Sequence, residues 1–451
     1  MTKDPYKLTK EGIKPAPTSF FGKLKYLGPG FILSASVVGS GELISTTTLG
    51  AKAGFVTLWI IIISCLVKVA IQLEFGKQAI RTGETVFTSL NRIGGPRFGK
   101  NKANWSLWTW IILWVFKPLQ QGGIVGGVAI ALNMAFPSIS ISWFALIVAV
   151  LVASLVFKGY YLFIEKASIV FMMLFTLFTV IAVFMLQNTE YAITSGQLLE
   201  GIGFKLPKAS VGLAIAAFGL TGVGGDEIVA YNYWCLEKGY ARFTGPFEEG
   251  EEWKQRARGW IKVMNLDAIL SMVVYTIVTA AFYLLGAAVL YQRGEIPAGF
   301  EMIETLSLMY TGAYGNWAKV FFLAGSVVVL FSTLFSALAA RTRIFSDLFG
   351  GIGWIDFFDI KQRKRTIAIM AWVFPVLWLI ALFWIKLPVV MVTIGGIITF
   401  FMLLIIVYGG LHFRYKQKQY GLESSKFYDV ALWVSCIVIF LVGLYGAISL
   451  F

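Results

Sequence analysis

Charged residues are scarce in this chain. Only 14% of its 451 residues are Asp, Glu, Lys or Arg, where a soluble domain carries about a quarter. The shortfall lies in long apolar runs, which excludes an ordinary soluble enzyme and leaves a polytopic membrane protein. Histidine is scarcer still. His412 is the only one; it lies in Leu411-His412-Phe413-Arg414, where an interfacial place is expected, and a metal centre built on histidine is excluded. The three cysteines, Cys65, Cys235 and Cys436, have neither a disulfide pattern nor zinc spacing and read as small buried hydrophobes. No phosphate-cradling glycine loop lies on a polar segment, so no nucleotide-driven step and no enzyme activity are expected, and no cofactor. The polar, basic N-terminus lacks the pattern of a cleavable signal peptide.

What the chain has is hydrophobicity, 58% of residues, with 46 glycines and 15 tryptophans. A helix needs about 20 apolar residues to cross a bilayer. That ruler gives eleven spans, near 27–53, 55–80, 105–134, 141–157, 166–187, 210–236, 263–291, 317–347, 366–385, 388–411 and 428–450. With the N-terminus inside, the cytoplasmic segments collect 30 of the 38 Lys and Arg residues and the outside loops only six. The asymmetry predicts a cytoplasmic N-terminus and an extracytoplasmic C-terminus in the plasma membrane. It also assigns the net charge of +14 to topology and anionic lipid, not to nucleic acid. No obligate partner protein is implied. Trp105, Trp108, Trp110 and Trp114 read as interface belt and lipid-facing packing.

One short pattern occurs twice: Val38-Gly39-Ser40-Gly41-Glu42 in the first span and Val223-Gly224-Gly225-Asp226-Glu227 in the sixth. Glycines weaken a helix, and a carboxylate near mid-membrane costs a few kcal/mol or more unless it meets a partner or a wet cavity. Broken helices in corresponding halves point to a transporter's substrate site. Five spans separate the breaks, and five is odd, so spans one to five and six to ten become inverted repeats. The expected fold is all-α and LeuT-type. A cytoplasmic segment 1–26 precedes a first repeat over 27–187, a second over 210–411 and an added helix over 428–451.

Gly28-Pro29-Gly30-Phe31-Ile32-Leu33-Ser34, Gly50-Ala51 and Ala129-Ile130-Ala131-Leu132-Asn133 resemble the Nramp divalent-metal transporters. Leu58-Trp59, Gln72 and Thr82-Gly83 fit the same family's second span. The signature motifs are altered. The family's Asp-Pro-Gly-Asn falls on Gly39-Ser40-Gly41-Glu42, its Met-Pro-His on Gly224-Gly225-Asp226, and its acidic pair in span three on Gln120 and Gly123. The resemblance therefore implies a divergent relative whose metal site and proton path differ.

The candidate site holds Gly39, Ser40, Glu42, Thr221, Gly222, Gly224, Asp226 and Glu227, with Glu42, Asp226 and Glu227 as metal ligands. Carbonyls freed at Val38, Gly39, Thr221 and Gly222 would add oxygens. Glu42 is a ligand or the cap of a half-helix. Asp226 and Glu227 point about 100° apart on a helix, so one would face the site and the other cap. Lys117 and Gln120 form a polar relay in which the lysine's cation replaces the mobile proton and pairs a carboxylate, or Lys117 snorkels. Lys68 and Glu74 read as snorkelling or structurally paired. An all-oxygen set suits a hard ion such as Mg²⁺, and the loss of the family's soft methionine removes a device for transition metals. The expected function is a secondary transporter or facilitator of a divalent cation without tight proton coupling. Alternatives are a transporter of an amino acid or amine, and a non-transporting sensor. The sensor would carry an appended signalling domain, and none follows span eleven.

Overall fold

A computed structural model describes residues 4–37, 39, 41–158, 161–422 and 425–450. Helix dominates because backbone N–H and C=O groups in hydrocarbon must pair within their own segment. Among the described residues the strands are one short antiparallel pair, Arg97–Phe98 with Ala103–Asn104. Eight helical stretches are each long and apolar enough to cross a membrane by length and composition, and three further spans complete the eleven. Span one is Pro29–Val37, then π-helical turns over Gly41–Thr46, then Thr47–Ala53. Span five is Tyr161–Met185.

Span three is the third, and it departs from the expected continuous helix over 105–134. It divides into Trp105–Trp114 and Lys117–Ala135. Pro118 lies in the first turn of the second piece, where its missing N–H costs no hydrogen bond. The protein is thus a multi-pass membrane protein of LeuT type, five spans plus five and one added, with spans one and six broken. Span six comprises Val211–Leu220 and Gly225–Lys238.

Close backbone approach holds these pieces together. A Cβ at Gly396 of span ten (Pro388–Lys416) would sit 2.6 Å from the Ala216 carbonyl oxygen, and one at Gly219 would strike the Gly396 carbonyl. A Cβ at Gly50 would lie 2.6 Å from the Tyr283 carbonyl oxygen, and one at Gly286 only 2.5 Å from that of Thr47. Small residues serve this purpose where lipid offers no hydrophobic drive between helices. Two buried carboxylates fix helix starts. Asp267, from span seven, accepts from the N–H groups of Gly28 (2.9 Å) and Gly30 (2.5 Å). Asp347 accepts from Phe87 N–H at 3.0 Å and from the hydroxyls of Thr85 and Tyr233.

The tryptophans of span three also depart from expectation. Trp110 and Trp114 are buried, Trp114 with its ring centroid 4.3 Å from that of Phe345. The N-terminal segment docks as well. Tyr6 donates to Glu237 at 2.5 Å, Arg343 donates to the same carboxylate at 2.6 Å, and Arg363 meets Asp4 at 2.9 Å. Burial holds the Tyr6 phenol well above its ordinary pKa, so it stays a donor.

The contact of span six with span ten leaves no room for a methyl group. Gly219→Ala or Gly396→Ala should each destabilise the protein by about 1–3 kcal/mol, the cost of overpacking where backbone blocks relaxation. Thermal melting in detergent checks this; an unchanged midpoint for both variants would contradict the packing.

Candidate functional site

The two breaks meet. A Cβ at Gly41, which opens the π-helical turns of span one, would lie 3.2 Å from the carbonyl oxygen of Leu220, the last residue of the first half of span six. Gly39 abuts Thr333 of span eight so closely that a Cβ would strike its hydroxyl. Thr221 is extended, and Gly222 takes a left-handed φ of +64° that any side chain would strain. The second half of span six starts at Gly225, with Gly224 as its N-cap. Ser40 and Val38 lie outside the described residues.

Two polar clusters form around this junction. In the first, Glu42 is fully buried. It accepts from the Thr279 hydroxyl of span seven (Glu251–Leu285) at 3.1 Å and from Gly39 N–H at 3.4 Å. Span two (Leu58–Thr82) contributes Ser64, Cys65 and Lys68, all fully buried. Ser64 and Thr221 share a hydroxyl hydrogen bond of 2.8 Å. Lys68 Nζ donates to the carbonyls of Phe218 at 2.6 Å and Thr221 at 2.5 Å. These are carbonyls that the break in span six releases. Lys68 therefore does not snorkel. Its whole side chain turns inward to the break, with Glu42 and Glu227 in electrostatic range.

The second cluster centres on Asp226. Its Oδ2 lies 3.0 Å from Lys117 Nζ and 3.1 Å from Arg341 Nη2, which comes from span eight (Ala318–Gly351). Lys117 also donates to the Thr399 hydroxyl at 2.6 Å and to Gln120 Oε1. Lys117 is 1% exposed and so is no snorkelling residue. Gln120 occupies the space left by Gly395, where a Cβ would strike its side chain. Arg341 is 3% exposed, and its Nε and Nη1 have no hydrogen-bond partner among the described residues. Glu227, third residue of its half-helix, folds back over Gly224, placing Oε2 2.6 Å from where a Cβ would stand. Glu227 thus occupies the capping position at N3, while Asp226 carries the ion pairs. Both border a cavity of about 20 Å³ shared with Trp234 and Arg341, room for roughly one water.

Among the described residues, no group of three or more His, Cys, Asp or Glu side chains is arranged to hold a metal ion. The expected set of Glu42, Asp226 and Glu227 does not gather in this conformation. Asp226 instead pairs with Lys117 of span three and Arg341 of span eight, and Glu42 accepts from Thr279 and the Gly39 N–H. Three residues escaped the sequence reading. Lys68 looked like a helix-end lysine. Arg341, near the inner end of span eight, counted only toward the basic excess of the cytoplasmic side. Cys65 looked like core, yet its Cα lies 3.1 Å from a Cβ position on Gly222, which sets a thiol beside the breaks. Intramembrane placement was the signal available for Lys68.

Residues 30–449 match the family described as natural resistance-associated macrophage protein-like. The chain belongs to the Nramp family. Curated relatives of this Nramp-family chain are distant. It is 24% identical over 349 residues to an uncharacterized protein of Pasteurella multocida, covering 75% of this chain and 73% of that one. It is 23% identical over 295 residues to the divalent metal cation transporter MntH of Caldanaerobacter subterraneus subsp. tengcongensis, covering 65% of each chain. Its fold resembles that of the Eremococcus coleocola manganese transporter, solved in complex with an aromatic bis-isothiourea substituted compound. The TM-score is 0.68 at 16% identity, over 98% of this chain and 90% of that one.

The ion-paired centre yields a stability test on this Nramp-family protein. Asp226→Asn leaves Lys117 and Arg341 buried without their counter-charge, which costs about 3–5 kcal/mol. The double variant Asp226→Asn/Lys117→Met removes one orphaned charge and should recover part of that loss. Melting curves of both variants decide; a double variant no more stable than the single one would contradict the pairing.

Proposed function

We propose that this chain is a secondary transporter or facilitator of a divalent cation. The cation passes between the two broken helices; it is a hard ion such as Mg²⁺, and it moves without tight proton coupling. The proposed topology puts residues 1–26 in the cytoplasm and the C-terminus outside the plasma membrane. Residues 27–187 and 210–411 form the inverted halves, and 428–451 the added span. Family membership supports the cargo class. Support for the site comes from one observation above all: Lys68 Nζ sits on the Phe218 and Thr221 carbonyls, beside Glu42. A protein-borne cation there holds the place of a transported one. With Lys68 set aside, Glu42 and Glu227 supply two negative charges, the complement of one divalent ion. With Lys68 in place the three carboxylates face three basic groups, and an added divalent charge has no counter-charge. Cargo uptake and withdrawal of the ammonium are then mutually required. Gln120 and Gly123 offer no acidic relay in span three, which supports uncoupled movement. Cys65 sets a sulfur beside the break, a softer ligand than the oxygens around it.

A second reading rests on Arg341. Its two unpartnered donors border the same cavity as Glu227 and Trp234. A guanidinium suits a carboxylate, and Glu227 suits an ammonium, so a small amino acid or amine would fit after the cavity widens.

Uptake by purified protein in liposomes separates these readings. Under the cation reading, Glu42→Gln lowers the apparent affinity for Mg²⁺ or Mn²⁺ by at least about tenfold, or ~1.4 kcal/mol. Lys68→Met raises it, and internal pH does not track uptake in fixed proportion. Wild-type protein that takes up an amino acid or amine and no divalent ion would replace this reading with the second. Stoichiometric acidification would overturn the uncoupled step.

A further inference from the structure

A second cavity lies well away from the breaks, at the end of the bundle where the N-terminal segment docks. Its volume is about 300 Å³. The last turn of span two lines it with Gln78 and Arg81, and the following turn with Glu84 and Arg92. The end of span ten adds His412 and Lys416. Leu8 and Phe247 close it from the N-terminal segment and the loop before span seven. Leu8 packs onto Gly83, whose left-handed φ of +66° ends span two, so the roof is anchored to the wall.

The charge here is lopsided. Glu84, the carboxylate among the named lining residues, is already engaged by Arg92 and by the Ser89 hydroxyl at 3.1 Å. Arg81 is 1% exposed. Its Nε donates to the Lys77 carbonyl at 3.0 Å, and its Nη2 stands 3.5 Å from Glu74 Oε2. That carboxylate is shared with Lys77, which approaches Oε1 at 2.8 Å. Among the described residues, Arg81 Nη1 has no hydrogen-bond partner, and neither does the buried Nε2 of His412. An unpaired buried donor costs about 1–3 kcal/mol, so Arg81 Nη1 calls for an acceptor, and His412 with its proton on Nε2 adds a second donor on the same wall. Lys416 stands exposed at the rim and adds a positive charge.

We propose that this cavity binds a phosphate-bearing anion. A phosphate offers several acceptor oxygens on one centre, enough for Arg81 Nη1, His412 Nε2 and Lys416 together, and forms strong charge-assisted bonds with guanidinium. Basic pockets at the ends of membrane helices take lipid head groups by the same chemistry, and a soluble phosphate would use the same donors. The ligand bridges span two, span ten and the N-terminal segment, so its effect is to hold these three together. The inference is independent of the cargo carried between the broken helices. The topology proposed above decides only from which side the anion arrives.

Full-length protein in phosphatidylcholine nanodiscs provides the test. Inorganic phosphate and glycerol 3-phosphate are titrated while the melting temperature is followed. A parallel set of nanodiscs contains phosphatidic acid. A saturable rise with the soluble anions assigns a soluble phosphate. A rise only with phosphatidic acid assigns a lipid head group. Either rise should weaken by at least about tenfold in midpoint concentration in Arg81→Gln, the loss of one charge-assisted hydrogen bond. The milder His412→Ala and Lys416→Ala, which leave the Glu74 pairs intact, should weaken it too. The proposal is overturned if neither form of phosphate raises the melting temperature, or if the rise persists unchanged in His412→Ala and Lys416→Ala. Divalent-cation uptake by the same variants stays at the wild-type level if the cavity is separate from the transport site.

Discussion

Buried charge matching is the constraint on which the centre of this protein depends. Asp226 lies inside a bundle where an isolated carboxylate would be intolerable, and Lys117 and Arg341 come from two other spans to meet it, while Lys68 of span two seats on released carbonyls with Glu42 and Glu227 in electrostatic range. Removing one partner from such a pair strands the other, a far larger effect than the net value of the pair itself. Spans one, two, three, six and eight are therefore tied through their polar groups, while the apolar surfaces between them supply little direction in lipid.

Backbone proximity makes that matching possible. The broken end of the first half of span six presents carbonyls at Phe218 and Thr221, and the π-helical turns of span one carry Glu42 beside them. Gly39 against Thr333 and Gly219 against Gly396 bring the broken elements nearer than a side chain would permit, and Gly41 packs tightly on Leu220. The glycines that weaken the helices are thus the same ones that let the weakened helices pack.

Lys68 changes how the centre reads chemically. An ammonium seated on the released carbonyls gives the site its own cation, tethered and unable to leave. Asp226, held between Lys117 and Arg341, is committed to structure in this conformation. Glu42 and Glu227 flank the same break without an ion pair of their own among the described residues.

The sequence by itself determined the membrane class, the eleven spans, the paired breaks in spans one and six and the family. Each of these follows from properties local to a stretch of chain: apolar length, glycine beside carboxylate, and the residues of Gly28–Ser34. It also marked Glu42, Asp226, Glu227 and Lys117 as consequential, because charge within an apolar run is costly wherever it points. Tertiary structure alone decided which partner each charge meets. Lys68 is separated by some 150 residues from the carbonyls it binds, and Arg341 by 115 from Asp226, distances over which no sequence pattern registers. It also divided the labour between neighbours, giving Asp226 the ion pairs and Glu227 the fold-back over Gly224, and it turned Trp110 and Trp114 inward. A side chain's direction depends on what its helix packs against, and that is a property of the assembled bundle.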